Sequence, residues 1–145
     1  MKKSVLFVMV IMMLTGINTS CSKGGAAGGD DGGSHIEAPS DVTAPVLVIN
    51  TPTTNQVFTS GSTINVTGKI TDDLGLYRGT IKITNDANGE VLKNQAFEIH
   101  GILTYDYNIS YTPSVTITSN YTVTVSFEDH GSNSTTQTVK IKVNP

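Results

Sequence analysis

The segment YTVTVSFEDHGSNSTTQTVKIKV, residues 121–143, predicts two neighbouring β-strands joined by a tight turn. Apolar and polar residues alternate in both halves, and the apolar ones are Tyr121, Val123, Val125, Phe127, Val139, Ile141 and Val143. In an extended chain these side chains share one face, and residues 130–134 between the halves are rich in turn-forming Gly, Ser and Asn. Because an isolated hairpin is marginally stable in water, its apolar face requires a second sheet.

Upstream residues supply that second sheet. Pro45 fixes an extended entry into a first strand at residues 46–49, and further strands are predicted over about 62–71, 77–83, 91–99 and 103–111. Tyr77, Ile81 and Ile83 are expected to point inward, whereas residues 57–58 are interpreted as a brief apolar contact within a loop. With the hairpin, seven strands form an all-β antiparallel sandwich over residues 45–145. The core positions expected from this pattern are Val66, Ile81, Ile109, Val123, Val125 and Ile141.

The N-terminus has the pattern of a secretory signal over residues 1–20. Lys2 and Lys3 precede an apolar run at residues 5–14, which is about half the roughly 20 residues that span a bilayer. Cys21 follows directly and resembles the lipobox cysteine of bacterial lipoproteins, which is acylated and becomes the new N-terminus. Asn18 departs from the usual leucine of that motif. The alternative is a free cysteine in a secreted protein, and we expect lipidation at Cys21.

Residues 21–44 are expected to form a lipidated tether. The segment is rich in Gly, Ala, Ser and Asp and has little apolar surface to bury. For the 23 residues after Cys21, a flexible chain reaches roughly 25–30 Å. Asp30 and Asp31 are interpreted as solvated linker residues, and an acidic export signal is the alternative.

Charge and composition exclude several classes of function. The net charge is −3, and removal of the signal peptide leaves 7 basic and 12 acidic residues. Without a Lys/Arg cluster, the chain has no electrostatic footprint for nucleic acid. One cysteine permits neither an internal disulfide nor a multi-cysteine zinc site. The sequence also lacks a nucleophile elbow, a glycine-rich phosphate loop and a His-Glu helix motif.

Two stretches carry a resemblance to a known family. Residues 68–73, GKITDD, with Leu76, and residues 121–133, YTVTVSFEDHGSN, are similar to Ig-like domains of bacterial surface proteins. More narrowly, they resemble single-domain Ig-like lipoproteins of Bacteroidetes, over about residues 41–145. The resemblance implies an Ig-like β-sandwich and a tyrosine corner at Tyr121. Its motifs specify turns and core positions rather than chemistry.

A calcium site is the candidate ligand site that the acidic turns suggest. In the Ig pattern, the turns after the second, fourth and sixth predicted strands share one end, where the tether also enters. That end would gather Asp41, Asp72, Asp73 and Asp129, and carboxylates are ligands that Ca²⁺ prefers. Cadherin-like domains place calcium at this end. The alternative is that these Asp residues only cap their turns, so the expected cofactor is none or Ca²⁺.

Two further clusters have competing interpretations. His100 and His130 belong to the same end, but no sequence spacing fixes them as a transition-metal pair. Tyr105, Tyr107 and Tyr111 share a face with Ile109, and that stripe suits either a sugar-stacking platform or the core. We expect the core, because polar residues occupy the alternate positions.

The function predicted from the sequence is that of a non-catalytic binding or adhesion module anchored by lipid in the outer membrane. The alternatives are an accessory subunit of an envelope complex and an enzyme. The expected partners are the membrane, through Cys21, and an unknown protein or glycan. The module is expected on one of two faces of the outer membrane, the periplasmic face or the cell-surface face. Recognition is expected at loops 53–60, 85–89 and 112–120, opposite the tether, and the exposed strand edges are the rival surface.

Overall fold

The structure is a computed structural model that describes residues 41–145. It contains eight strands: β1 (Val46–Thr51), β2 (Val57–Thr59), β3 (Ile64–Thr71), β4 (Leu76–Asn85), β5 (Val91–Glu98), β6 (Thr104–Tyr111), β7 (Ser119–Asp129) and β8 (Ser134–Asn144). The predicted signal peptide, the lipidation site Cys21 and most of the predicted tether lie outside the described residues.

The strands form two sheets. One has the order β1-β3-β6 and the other β2-β8-β7-β4-β5. All seven predicted strands are present, which confirms the all-β, Ig-like sandwich. The eighth strand, β2, lies where a loop was expected. It pairs in parallel with residues 142–144 of β8, whereas the other pairings are antiparallel.

The core lies between the two sheets and contains every predicted core residue. Val66, Ile81, Val123 and Val125 are fully buried, and Ile109 and Ile141 are 7% and 2% exposed. Full burial of such an aliphatic side chain contributes about 1.5–3 kcal/mol. β7 is the middle strand of the larger sheet and lies between β8 and β4. Its inward side chains therefore have neighbours on both sides as well as in the facing sheet.

Tyr107 joins the three strands of the smaller sheet. Its ring lies over Gly68, its cross-strand partner on β3. The hydroxyl passes beyond that glycine and donates a hydrogen bond of 2.8 Å to the carbonyl oxygen of Val48 on β1. A Cβ atom at residue 68 would lie 2.1 Å from both oxygens. Gly68 is therefore required by close packing rather than by its backbone conformation.

A second aromatic ring lies over a glycine in the larger sheet. Phe127 of β7 covers its partner Gly79 of β4. The Phe127 ring also lies 5.6 Å from that of Tyr107 and 5.9 Å from that of Phe97, measured between centroids. Because Tyr107 belongs to the other sheet, this contact connects the two layers through aromatic packing.

The start of β4 differs from the predicted alternation. Leu76 is fully buried, whereas Tyr77 lies outside the hydrophobic core cluster. Along β7, Asp129 pairs with Leu76 and Glu128 with Arg78, so Tyr77 is an extra residue on β4. Such a bulge shifts the inward and outward phase by one position. The prediction that Tyr77 points inward was therefore wrong, while Ile81 and Ile83 are inward as predicted.

Candidate functional site

Main-chain hydrogen bonds join three turns at one end of the sandwich. The amide of Leu76 donates to the carbonyl of Ile102 at 2.9 Å, and that of His130 donates to the carbonyl of Gly75 at 3.1 Å. This arrangement confirms that these turns share one end. Asp41 lies there too, because Asn133 Nδ2 donates to its carbonyl oxygen at 3.1 Å. We call this the linker end.

All four predicted calcium ligands lie at the linker end, and three of them form a cluster. Asp41, Asp72 and Asp73 each place one carboxylate oxygen within 4.8 Å of the other two. Two of them also cap the local backbone. Asp72 Oδ2 accepts hydrogen bonds from the amides of Leu74 and Gly75, and Asp41 Oδ1 accepts one from the amide of Thr43. The turn-capping interpretation is therefore correct for Asp72 Oδ2 and Asp41 Oδ1. Whether a cation fits depends on the remaining carboxylate oxygens of the three residues.

One of those other oxygens favours a cation. Asp72 Oδ1 is buried and has no hydrogen-bond partner within residues 41–145. A buried acceptor without a donor costs about 1–3 kcal/mol, and a hard cation beside it would remove that cost. Ca²⁺ takes 6–8 oxygen ligands. The three carboxylates therefore fit part of its shell, and main-chain oxygens or water would have to complete it.

Asp129, the fourth predicted ligand, has a different role. Its side chain is fully buried, Oδ1 accepts from the Asn133 amide at 2.9 Å, and Oδ2 accepts from Asn133 Nδ2 at 3.0 Å. The same Nδ2 also contacts the Asp41 carbonyl. Asp129 therefore holds the β7–β8 turn in place, and through Asn133 it fastens the start of the domain to that turn.

The two histidines of the linker end are close together, although no sequence spacing predicted it. The ring centroids of His100 and His130 lie 5.6 Å apart. Tyr77 contacts both rings, with centroids at 4.8 Å from His100 and 4.9 Å from His130. The bulge at Tyr77 explains the cluster, because it places that ring outside the core and beside the two turns.

The tyrosine stripe of β6 belongs to the core, as expected. Tyr107 is 1% exposed and Ile109 is 7% exposed. Tyr105 and Tyr111 are partly buried and pack against the same hydrophobic cluster. The sugar-stacking interpretation of this stripe is therefore not supported, because its central ring is enclosed between the sheets.

The opposite end of the sandwich, which we call the distal end, joins the three loops predicted to meet a partner. The amide of Gly61, next to the first loop, donates to the carbonyl of Pro113 in the third loop at 2.8 Å. The amide of Asp86 in the second loop donates to the carbonyl of Asn120 at 3.0 Å. The loops are therefore fastened to one another and present one surface.

A cleft opens on this surface. We call it the distal cleft; its volume is about 390 Å³, and its lining residues are Asn55, Val57, Asp86, Asn120, Lys140, Ile141 and Lys142. Each of the three predicted loops contributes to the lining, through Asn55, Asp86 and Asn120, and strand β8 completes it. The volume is within the roughly 300–1,000 Å³ of small-molecule sites. The distal cleft is the candidate functional site.

Fixed polar contacts hold the cleft together. Lys140 Nζ lies 2.8 Å from Asp86 Oδ2, and the Thr122 hydroxyl donates to Asp86 Oδ1. The hydrogen bond from Lys140, and then that from Thr122, lowers the pKa of Asp86. On the β2 side of β8, the Asn55 amide donates to the Lys140 carbonyl at 2.7 Å. Asn55 has a φ of 64°, which asparagine tolerates better than most residues.

The lysines of the cleft are the functional candidates that sequence reasoning missed. In the sequence, Lys140 and Lys142 are polar residues of the alternating segment 121–143, and that alternation predicts only that they point outward. Their position beside the cleft depends on the pairing of β8 with both β7 and β2. The sequence contained one signal that could have identified them. The two lysines alternate on the outer face of a strand whose end lies beside asparagine-rich turns.

The solved structures that resemble the chain include two that we describe by their similarity alone. The first contains fibronectin(III)-like modules of CbhA from Clostridium thermocellum, with 16% identity and a TM-score of 0.42. It matches 71% of this chain, which spans 47% of that chain's length. The second is the CARDB domain of the PF1109 protein from Pyrococcus furiosus in complex with di-metal ions. It has 13% identity and a TM-score of 0.38, over 70% of this chain and 93% of that one.

No protein family description matches the chain, and no curated protein does. At these levels of similarity the chain is assigned to no family. Within residues 41–145, no helix has the length and hydropathy needed to cross a membrane.

Proposed function

We propose that the chain is a non-catalytic binding module, anchored to the outer membrane through Cys21, whose recognition surface is the distal cleft. The observation that carries this proposal is the convergence of three loops on one polar cleft at the distal end. Rigid sheets that present a joined set of loops are a common scaffold for recognition. The fold alone supports little, since such sandwiches have many unrelated functions.

The direction of the chain supports the choice of end. Asp41, the described residue nearest to Cys21 in the sequence, is fastened to the β7–β8 turn at the linker end. A lipid on Cys21 would place the linker end nearer the membrane, and the distal cleft would on average face away from it. Cys21→Ala should then leave an unprocessed precursor that no longer partitions into detergent. Normal maturation and partition of that variant would contradict the anchor.

The recognition proposal is tested by crosslinking capture on intact cells with a cleft variant. Asn55→Gly and Asn120→Ala remove two lining amide groups and Lys142→Gln removes a lining charge, while glycine retains the backbone conformation at residue 55. The matched control is Lys82→Gln, an exposed lysine on the same sheet that does not line the cleft. Capture should fall at least tenfold in the cleft variant alone.

The outcome also separates the alternative functions. Undiminished capture by the cleft variant would overturn the proposal and make the outer edges of β5 and β6 the leading surfaces, since edge strands can add a partner's strand. Recovery of one stable envelope protein through the cleft would favour an accessory subunit. Recovery of glycans or of host proteins would favour adhesion.

A calcium-stabilised linker end is the second candidate, favoured by the buried and unpaired Asp72 Oδ1. Asp41, Asp72 and Asp73 would hold the ion, and its chemistry would be structural, because its two positive charges would offset most of the repulsion among three neighbouring carboxylates. A site with a dissociation constant of about 0.1 mM adds about 1.4 kcal/mol at 1 mM Ca²⁺. For a domain of this size such a gain raises the melting temperature by several degrees.

The calcium test compares melting temperatures with 1 mM Ca²⁺ and with a chelator. Asp73→Asn should abolish the difference, whereas Asp106→Asn should retain it, because Asp106 is an exposed carboxylate on β6 outside the cluster. A wild-type melting temperature that does not change with calcium would exclude a site linked to folding, without affecting the proposal for the distal cleft.

A further inference from the structure

We propose that the distal cleft binds an anionic saccharide, a sugar that carries a carboxylate or another acidic group. This inference rests on the proposed function, since it names the ligand class of the same cleft. Three properties of the cleft support it: a cation that forms no ion pair within residues 41–145, two amide side chains and one exposed apolar side chain.

The cation is Lys142. Lys140 is paired with Asp86 at 2.8 Å, but Lys142 has no carboxylate within salt-bridge distance in the described part of the chain. Residues 41–145 contain six basic and nine acidic residues, yet the cleft retains a surplus of one positive charge. An acidic group on the ligand would form a charge-assisted hydrogen bond with the Lys142 ammonium group.

The amides are those of Asn55 and Asn120, which flank β8: the Asn55 main chain bonds to Lys140 on one side, and Asn120 pairs with Lys142 in the β7–β8 ladder on the other. An asparagine side chain offers both donors and an acceptor. A sugar hydroxyl also acts as both donor and acceptor, so the two groups match without a change of protonation. Val57 lines the same cleft and is 56% exposed, which provides an apolar contact for the C–H face of a sugar ring.

The cleft is held in shape before any ligand arrives. Thr122 and Lys140 fix Asp86, and the Asn55 amide fixes its loop to β8. Groups that are already ordered lose less conformational entropy on binding. A weakly charged ligand can therefore gain useful affinity from few contacts.

A peptide with a terminal carboxylate is the rival occupant. Extended peptides usually bind by adding a strand to a sheet edge. The edge beside the cleft is β2, which contains only three residues, Val57–Thr59, and therefore offers few main-chain groups. The residues that line the cleft also offer side-chain amides rather than a strand-length groove. The saccharide is favoured for these reasons.

The experiment is an NMR titration of the full chain in detergent micelles, with ¹⁵N labelling. The probes are a disaccharide containing glucuronic acid, the same disaccharide with its carboxylate reduced to the alcohol, and a tripeptide with a free C-terminal carboxylate. We expect the acidic disaccharide to shift the amide signals of Asn55 and Asn120. Removal of its carboxylate should weaken binding at least tenfold, and so should Lys142→Gln. Lys82→Gln, which makes the same change of charge outside the cleft, should leave the affinity unchanged.

Several results would overturn the inference: no shifts in the cleft with the acidic disaccharide, equal affinity for the reduced disaccharide, insensitivity to Lys142→Gln, or tighter binding of the tripeptide. None of these results alone would refute the recognition role of the cleft, which the capture experiment tests separately. Loss of capture in the cleft variant together with a failed titration would mean that the ligand class is wrong and the site is right.

Discussion

The contact of Tyr107 with Val48 across Gly68 gives a quantitative prediction about stability. Gly68→Ala would place a Cβ atom 2.1 Å from both the Tyr107 hydroxyl and the Val48 carbonyl oxygen. Because these atoms cannot remain so close, the 2.8 Å hydrogen bond between the two oxygens must break. A lost hydrogen bond costs about 0.5–1.5 kcal/mol, and strain from the added methyl group costs about 1–3 kcal/mol. Gly68→Ala should therefore lower the free energy of unfolding by about 2–4 kcal/mol.

A double-mutant cycle tests whether the loss of stability comes from the hydrogen bond between Tyr107 and Val48 rather than from unrelated distortion of the sheet. Tyr107→Phe removes the same hydrogen bond and should cost about 0.5–1.5 kcal/mol. In that background, Gly68→Ala no longer breaks the bond and no longer meets the hydroxyl, although it still meets the Val48 carbonyl. The double variant should therefore be destabilised by about 1 kcal/mol less than the sum of the two single substitutions.

Urea denaturation followed by circular dichroism measures these free energies. Tyr105→Phe, on the same strand and only partly buried, is the matched control and should change stability by less than about 0.5 kcal/mol. Costs of Gly68→Ala and Tyr107→Phe that add within about 0.3–0.5 kcal/mol would refute the reasoning. So would a Gly68→Ala variant as stable as the wild type.

Three further predictions concern burial and charge. Val125→Asp should destabilise the domain by several kcal/mol, since it leaves an unpaired charge between the sheets, whereas Thr124→Asp on the outer face should be tolerated in the same urea titration. Burial raises the pKa of Tyr107, so the unfolded chain loses the hydroxyl proton at a lower pH than the folded chain, and the free energy of unfolding should fall as the pH rises above about 10. This fall should be less steep in Tyr107→Phe. Equal dependence of the free energy on pH in the two proteins would contradict the prediction. Lys140→Gln should raise the pKa of Asp86 in an NMR pH titration, because it removes the largest cause of its lowering; an unchanged pKa would mean that the ion pair does not form in solution.

Much of the fold could be predicted from the sequence because its strands are half-buried. In β3, β4 and β7, polar side chains alternate with core residues such as Val66, Ile81 and Val125, and a period of two is visible without knowledge of the partner strands. The common end of the turns followed from the Ig-like connectivity. That step predicted the gathering of Asp41, Asp72 and Asp73.

The features that were missed depend on how strands pair. The bulge at Tyr77 is a property of the β4–β7 ladder, and the three residues of β2 become a strand only through β8, more than eighty positions away. The distal cleft requires Asn55, Asp86 and Lys142 to meet from three separate segments. Asp129 was assigned to a calcium site because it belongs to an acidic turn. Its buried hydrogen bonds to Asn133, which give it a structural role, exist only in the folded turn and could not be predicted from the sequence.

The recognition role of the distal cleft is tested most directly by photocrosslinking from single positions on intact cells. A photoreactive side chain at Ile117, which is 73% exposed, lies in the loop that contributes Asn120 to the cleft but replaces no lining residue, and one at Leu74, which is 41% exposed, lies in a turn of the linker end. The proposal predicts a discrete adduct from position 117 that disappears with Lys142→Gln, and no such adduct from position 74. An adduct formed only from position 74, or equally from both positions, would contradict the assignment of recognition to the distal cleft.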